Sequence, residues 1–115
     1  MEIFRNDIYM ADLGNKAGSV QSGTRPVYII QNNVGNKYSP TTIVAPVTSK
    51  LGKTKLPTHV EISQKMGLEY DSLVLCEQIL TINQKSLYNK ICHIDNKFVI
   101  DKIDTALKTS LGLKF

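Results

Sequence analysis

The fold of this chain is decided by the stretch GSVQSGTRPVYIIQ, residues 18–31, in which a glycine-rich loop leads into an apolar strand. Gly18 and Gly23 leave the loop backbone flexible and its amides accessible. Pro26 restricts the residue before it to extended geometry, so Arg25 is expected at the entrance of the strand. A fixed cation beside accessible amides suits the binding of a phosphate, and the alternative is an ordinary surface arginine.

Short β-strands are expected on both sides of this stretch. Apolar runs bounded by turn formers predict strands at 7–13, 25–31, 42–49, 58–62, 72–82 and 89–94. Asn6 precedes the first strand in a turn and tolerates a positive φ. Pro46 removes a ladder donor from the third strand, which should therefore have an edge or a bulge at that point.

Two polar residues interrupt the most apolar of these strands. Glu77 and Gln78 lie within residues 72–82, and the alternation of side chains along a strand turns one of them inward. Burying a glutamate costs more free energy than burying a glutamine. We therefore expect Gln78 to face a groove.

One helix is well marked near the C-terminal end of the sequence. Asp95 is expected to cap its start, and Gly112 is expected to close its end. Ile94 and Val99 have the spacing of a hydrophobic staple. The residues expected to face the core are Val99, Ile103, Ala106, Leu107 and Ser110. Short strands with one terminal helix predict an α+β fold built on a small antiparallel barrel.

Length and composition indicate one globular domain over residues 1–115. The chain is 42% hydrophobic and 21% charged, which is ordinary for a protein with a real core. The N-terminal residues contain no apolar signal core, and no apolar run approaches the length of a membrane span. A cytoplasmic location without membrane contact is expected. The net charge of +4 favours an acidic partner such as nucleic acid, an acidic polypeptide or a membrane surface.

The two cysteines and two histidines do not have the spacing of a zinc site. Cys76 and Cys92 lie far apart, each inside an apolar run, and are expected to be reduced core residues. His59 and His93 do not supply the close pairs that zinc sites use. We expect no metal and no cofactor.

The common active-site motifs are missing from the sequence. There is no P-loop, no dinucleotide fingerprint, no nucleophile elbow and no paired-histidine metalloprotease motif. Polar residues at strand ends remain, namely Arg25, Thr48 with Ser49, and Gln78. In a small barrel such ends cluster on one face, which makes them the candidate site.

The chain resembles the MazF/PemK family of toxin ribonucleases from toxin–antitoxin modules over essentially its whole length. The segments that carry the resemblance are RNDIYMADL (5–13), GSVQSGTRPVYIIQN (18–32), GN (35–36), SPT (39–41), VT (47–48), LPTHVEI (56–62), DS (71–72), EQ (77–78), TI (81–82), AL (106–107) and LGL (111–113). Their order and spacing make the resemblance specific. Val20 departs from it, because many members have an acidic residue there, so the contacts of this loop with RNA are expected to differ.

The resemblance implies a fold, an activity and partners. It implies a single toxin domain with an SH3-like antiparallel β-barrel of the CcdB/Kid/MazF type, which forms a homodimer, cleaves single-stranded mRNA at a short sequence and is inhibited by a cognate MazE-like antitoxin. It implies that Arg25 and Thr48 are the catalytic pair. The residues implied to bind RNA are Ser19, Gln21, Asn32, Ser49, Leu56, Thr58 and Gln78.

The implied chemistry agrees with these residue types. Without a metal, the ribose 2′-OH attacks the adjacent phosphorus and leaves a 2′,3′-cyclic phosphate and a 5′-OH end. Arg25 suits stabilisation of the phosphoryl charge, and Thr48 suits a hydrogen bond to the same phosphate. Arginine is a poor general base because it stays protonated. The resemblance nevertheless implies Arg25 for proton transfer, and His59 is a titratable alternative or a structural residue, so the proton carrier is left open.

Other interpretations of the sequence stay open as well. A toxin of the same barrel type could poison DNA gyrase by binding it, without any enzymatic activity, and a plain RNA-binding barrel would bind RNA without turnover. Gln78 could recognise a base edge or satisfy a backbone group. Asn32 could cap a turn or contact RNA.

Overall fold

A computed structural model describes residues 2–15, 18, 21–49 and 56–114. Its elements are β1 Asp7–Asp12, β2 Thr24–Ile29, α1 Asn33–Tyr38, β3 Thr41–Thr48, β4 His59–Ile62, β5 Ser72–Leu75, β6 Leu80–Asn83, β7 Leu87–His93 and α2 Lys97–Leu111, with 3₁₀ turns at Gln64–Met66 and Gln84–Ser86. Apart from the predicted strand at 72–82, the predicted strand limits agree with the structure to within two residues. Neither described helix is long and apolar enough to span a membrane.

The strands form one antiparallel sheet in which β3 is the central element. The order is β4-β5-β3-β2-β1-β7, and β6 also pairs with β3. The ladder between β3 and β6 ends at Val44, and the ladder between β3 and β5 starts at Val47. Pro46 lies in the gap between these two ladders, where the strand needs no amide donor. The predicted interruption of the third strand at Pro46 is confirmed as a gap between two ladders.

The predicted single strand at 72–82 is wrong, because the structure has two strands there. β5 and β6 are separated by a turn that begins at Cys76, and the Gln78 N–H donates to the Leu75 carbonyl oxygen at 3.0 Å. Glu77 lies at the surface with its side chain 28% exposed, and Gln78 is half-buried. A turn at the polar pair leaves both side chains at the surface, whereas a continuous strand would bury one of them.

Hydrophobic clusters cover both faces of the sheet. Side chains alternate along β2, so Tyr28 joins one cluster while Val27 and Ile29 join the other. The first cluster also contains the buried face of α2, with Val99 and Ile103. The expected α+β fold with a C-terminal helix is confirmed. The sheet is barrel-like but open, because no ladder joins β4 to β7 among the strands that the structure describes.

Local residues determine where α2 begins and ends and how the chain turns before β1. Asn96 caps α2, since its side-chain oxygen accepts from the Val99 N–H at 3.1 Å, so the prediction of Asp95 as the cap is wrong by one residue. Gly112 ends the helix with a φ of 69°. Asn6 has a φ of 76°, as predicted.

Candidate active site

Arg25 and Thr48 lie on two strands that separate at one end of their ladder. The ladder between β2 and β3 joins Val27 to Pro46 and ends there. Continuing the same register by two residues places Arg25 opposite Thr48. Arg25 pairs with β1 and Thr48 pairs with β5, each along the other edge of its strand. The two candidate catalytic residues therefore lie one on each strand, two positions beyond the last pair of the ladder between β2 and β3.

The Arg25 side chain is held by the loop that precedes it. Its Nε–H donates to the Ser22 carbonyl oxygen at 2.9 Å, and its Nη1 donates to the side-chain oxygen of Gln21. A guanidinium carries five N–H donors, so these two bonds fix its plane and leave donors for an anion. Arg25 is half-buried and Thr48 is 8% exposed. The loop thus orients the cation before any ligand binds.

The loop is in turn fixed to the turn between β5 and β6. The Gln21 N–H donates to the side-chain oxygen of Gln78 at 2.8 Å. Gln78 therefore satisfies a backbone group, which was one of the two roles expected for it. Gln21 connects Gln78 to Arg25, since its backbone binds the former and its side chain binds the latter.

A second set of hydrogen bonds surrounds Glu77 on the same turn. The Thr58 hydroxyl donates to Glu77 Oε1 at 3.3 Å, and His59 Nε2 lies 2.9 Å from Glu77 Oε2. The Leu56 N–H donates to His59 Nδ1 at 3.2 Å. Because Nδ1 accepts, the ring proton resides on Nε2 and is donated to the Glu77 carboxylate. Both ring nitrogens are engaged, which favours the structural interpretation of His59.

The structure does not bring all of the predicted RNA-binding residues together. Gln21 and Gln78 are linked to Arg25, while Leu56 and Thr58 are linked to Glu77.

The other predicted RNA-binding residues lie apart from these contacts. The Asn32 side chain accepts from the Gly35 N–H at 2.8 Å and so caps α1. Ser49 is exposed and lines a cavity of about 520 Å³ together with Pro26 and Tyr70. By alternation this cavity lies on the opposite face of the strands from Arg25 and Thr48. The prediction for Ser19 and the departure at Val20 lie outside the described residues.

Glu77 is the residue of this site that the sequence-based prediction missed. The polar pair Glu77–Gln78 inside an apolar run is the signal: a continuous strand predicts one inward-facing glutamine there, whereas the structure has a turn. The turn allows both side chains to make contacts, with Gln78 on the loop before Arg25 and Glu77 on the segment before β4. Both halves of the pair therefore bind parts of the candidate site.

Neither cysteine is suited to act as a nucleophile here. Burial raises the pKa of the Cys76 thiol to about 12, and the nearby Glu77 carboxylate adds to the shift. Burial also raises the pKa of Cys92, Asp7 raises it further, and Lys90 partly opposes them. Both thiols stay protonated at neutral pH, and a protonated thiol is a weak nucleophile.

Comparison with known proteins identifies the family. Residues 4–111 match the PemK-like, MazF-like toxins of type II toxin–antitoxin systems. The chain belongs to this toxin family. A relative of this toxin from Bacillus subtilis strain 168, named Endoribonuclease EndoA, is 52% identical over 114 residues, which cover 98% of this chain and 97% of the relative.

Solved structures of other toxins share the fold. A mycobacterial endoribonuclease in complex with its cognate antitoxin is 25% identical to this toxin, with a TM-score of 0.78, over 99% of this chain and 97% of that one. MazF from Deinococcus radiodurans is 18% identical, with a TM-score of 0.83, over 98% of this chain and 99% of that one, and supports the fold alone. The assignment of this toxin to the MazF/PemK toxin endoribonucleases, and to their fold, is confirmed.

Proposed function

We propose that this toxin is a metal-independent endoribonuclease that cleaves single-stranded mRNA at a short sequence. The observation that supports the proposal is that the ladder between β2 and β3 ends at Val27 and Pro46, two positions from Arg25 on one strand and two positions from Thr48 on the other. A fixed guanidinium and a hydroxyl on two diverging strands suit a phosphodiester held between them. The net charge of +4 also favours a polyanionic substrate.

The reaction uses a nucleophile that the RNA itself supplies. The 2′ oxygen forms a bond to the adjacent phosphorus as its proton leaves, and the bond from phosphorus to the 5′ oxygen breaks as that oxygen takes up a proton. The products are a 2′,3′-cyclic phosphate and a 5′-OH end. The protein must align the 2′ oxygen with the leaving oxygen and stabilise the charge on the phosphoryl oxygens.

Arg25 and Thr48 share the stabilisation of that charge. A guanidinium offers N–H donors and no acceptor, so Arg25 acts as a charged donor to the phosphoryl oxygens rather than as a base. Its bonds to Ser22 and Gln21 hold the guanidinium in one plane before RNA binds, so little reorganisation is needed during the reaction. The Thr48 hydroxyl donates a hydrogen bond to the same phosphate.

The RNA path in this proposal runs from the loop before Arg25 to the segment before β4. Gln21 and Gln78 lie at the first end, and Leu56 and Thr58 lie at the second. Leu56 is 48% exposed, which leaves apolar surface for a nucleobase.

Three further residues extend this set of RNA contacts. They are Ser19, Asn32 and Ser49, which the sequence resemblance implies. Asn32 would bind RNA in addition to capping α1, and Ser49 would do so from the cavity on the other face.

The proposal includes partners and a location. The mycobacterial relative was solved in complex with its cognate antitoxin, which supports inhibition of this toxin by a MazE-like antitoxin that covers the RNA groove. We further propose that the chain acts as one domain in a cytoplasmic homodimer. Sedimentation of the purified toxin, alone and with its antitoxin, tests the assembly.

Incubation of the purified toxin with a long defined RNA in EDTA tests the activity. The expected result is a small set of fragments that share one short sequence at their ends and carry 5′-OH groups. The Arg25→Ala variant, at the same concentration, should leave the RNA intact and is the matched control. Strict dependence on Mg²⁺ would contradict the mechanism. Intact RNA combined with inhibition of DNA gyrase supercoiling would instead indicate the gyrase-poisoning toxin.

A further inference from the structure

The turn between β5 and β6 contacts two separate segments of the candidate site. On one side, the Gln78 side-chain oxygen accepts from the Gln21 N–H at 2.8 Å. On the other side, the Glu77 carboxylate accepts from the Thr58 hydroxyl at 3.3 Å and lies 2.9 Å from His59 Nε2. Two neighbouring residues thus fix the loop before Arg25 and the segment before β4.

The segment before β4 is a turn that two hydrogen bonds between Leu56 and His59 close. The His59 N–H donates to the Leu56 carbonyl oxygen at 2.9 Å, and the Leu56 N–H donates back to His59 Nδ1 at 3.2 Å. The Thr58 carbonyl oxygen accepts from the Cys76 N–H at 3.0 Å. The His59 ring joins the two ends of this system, because one nitrogen faces Leu56 and the other faces Glu77. The position of Leu56 is therefore tied to that of Glu77.

The contacts of Glu77 are partly shielded from water. The side chain of His59 is 10% exposed and that of Glu77 is 28% exposed. Hydrogen bonds to a carboxylate in such surroundings are stronger than those between neutral groups at an open surface. Loss of the carboxylate would release Thr58 and His59 together.

We propose that Glu77 is a positioning residue for substrate selection, which holds the Leu56–His59 turn in the geometry that accepts a nucleobase. This inference rests on the proposed cleavage of RNA. Glu77 does not touch the scissile phosphate and acts through Thr58 and His59. Gln78 acts through Gln21 on Arg25, so the adjacent residues Glu77 and Gln78 affect different kinetic constants. Glu77 sets KM and the accepted base, whereas Gln78 sets kcat.

Steady-state kinetics on a short RNA that contains the mapped cleavage site tests this division. Glu77→Ala should raise KM about tenfold, which corresponds to the loss of one to two hydrogen bonds, and should leave kcat within about twofold. It should also relax the cleavage sequence at one base. Gln78→Ala should lower kcat instead. Glu77→Gln keeps one acceptor oxygen and should fall between wild type and Glu77→Ala.

Glu2→Ala is the control, because it removes an exposed glutamate from the N-terminal segment. It should match wild type in KM, in kcat and in cleavage sequence. Equal melting temperatures for all four variants would exclude a general loss of stability. A Glu77→Ala variant with unchanged KM and sequence, or one that lowers kcat and melting temperature together, would overturn the proposal.

Amide hydrogen exchange without RNA separates this proposal from the proposed function. Glu77→Ala should speed exchange at the Leu56 N–H and leave the Gln21 N–H protected, while Gln78→Ala should do the reverse. Unchanged protection of Leu56 in Glu77→Ala would refute the positioning role. If wild-type toxin does not cleave RNA, the proposed function fails, and exchange at Leu56 still decides whether Glu77 holds this turn.

Discussion

The Gln21 N–H donates a 2.8 Å hydrogen bond to the side-chain oxygen of Gln78, 57 positions further along the chain. The side-chain oxygen of Gln21 at the same time accepts from Arg25. One residue therefore connects the turn between β5 and β6 with the guanidinium of the candidate catalytic cation. The orientation of Arg25 depends on a contact between segments that are remote in sequence.

Gln21→Ala should lower kcat about tenfold and change KM less than kcat, because the guanidinium loses a bond that orients it. Gln21→Glu keeps an acceptor for Arg25 and should retain most of the activity. Single-turnover cleavage of a saturating RNA measures the chemical step directly. If Gln21→Ala raises KM at unchanged kcat, Gln21 acts only through its contact with RNA and does not position Arg25.

Thr48→Val should lower kcat about tenfold or more, because valine has the shape of threonine without its hydroxyl donor. Thr48→Ser keeps the hydroxyl and should remain close to wild type. Both rates are read from the same single-turnover assay, with circular dichroism to compare folding. Equal losses in the two variants would assign the effect to packing of the buried side chain.

Gly67→Ala should destabilise the fold for two reasons, which are the positive φ of this residue and the steric clash of an added Cβ. Gly67 has a φ of 117°, and a Cβ added there would lie 2.7 Å from Cys92 Cβ. Gly14 also has a positive φ, of 71°, but its added Cβ would meet nothing within 4 Å. Urea unfolding should show that Gly67→Ala costs about 1–3 kcal/mol more than Gly14→Ala. Equal costs would show that Cys92 moves aside freely.

Cys76 should make stability fall at alkaline pH. Burial, aided by Glu77, raises the thiol pKa from 9.0 to about 12, so the folded state holds this proton more tightly than the unfolded state does. The resulting stabilisation is complete below pH 9.0 and is lost as the pH rises toward 12. The free energy of unfolding should decrease by up to about 1.4 kcal/mol per pH unit in this range.

Cys76→Ala is the control for the alkaline slope. The variant lacks the titrating thiol but keeps Tyr28, whose pKa burial also raises, so the slope should shrink without disappearing. Urea unfolding at several alkaline pH values measures the slopes of both proteins. An identical slope in wild type and Cys76→Ala would contradict the role of the thiol.

Local features of the fold were predictable because their causes are local. The φ of Asn6 followed from the turn residues before β1, and the break at Pro46 followed from its missing donor. The helix cap was missed by one residue because Asp95 and Asn96 are both good caps. Val99 is buried in the core, and its N–H donates to the side chain of Asn96, which makes Asn96 the cap.

The contacts of Glu77 could not be predicted from periodicity. They require Thr58 and His59 to lie beside a turn that comes 18 or 19 residues later in the chain. That proximity is set by the ladder between β4 and β5, in which His59 pairs with Leu75. Register between strands depends on the whole core, whereas the polar pair itself signalled only that the apolar run is interrupted.

The central claim is that the RNA supplies the nucleophile and that Arg25 stabilises the charge that develops on the phosphate. The most direct test is cleavage of a short RNA with one 2′-deoxy nucleotide on the 5′ side of the scissile phosphate. This substrate should bind with an affinity within about twofold of the all-ribose RNA and should not be cleaved. Arg25→Ala should slow cleavage of the all-ribose RNA at least about a hundredfold. Cleavage of the deoxy substrate at the normal rate would contradict the account.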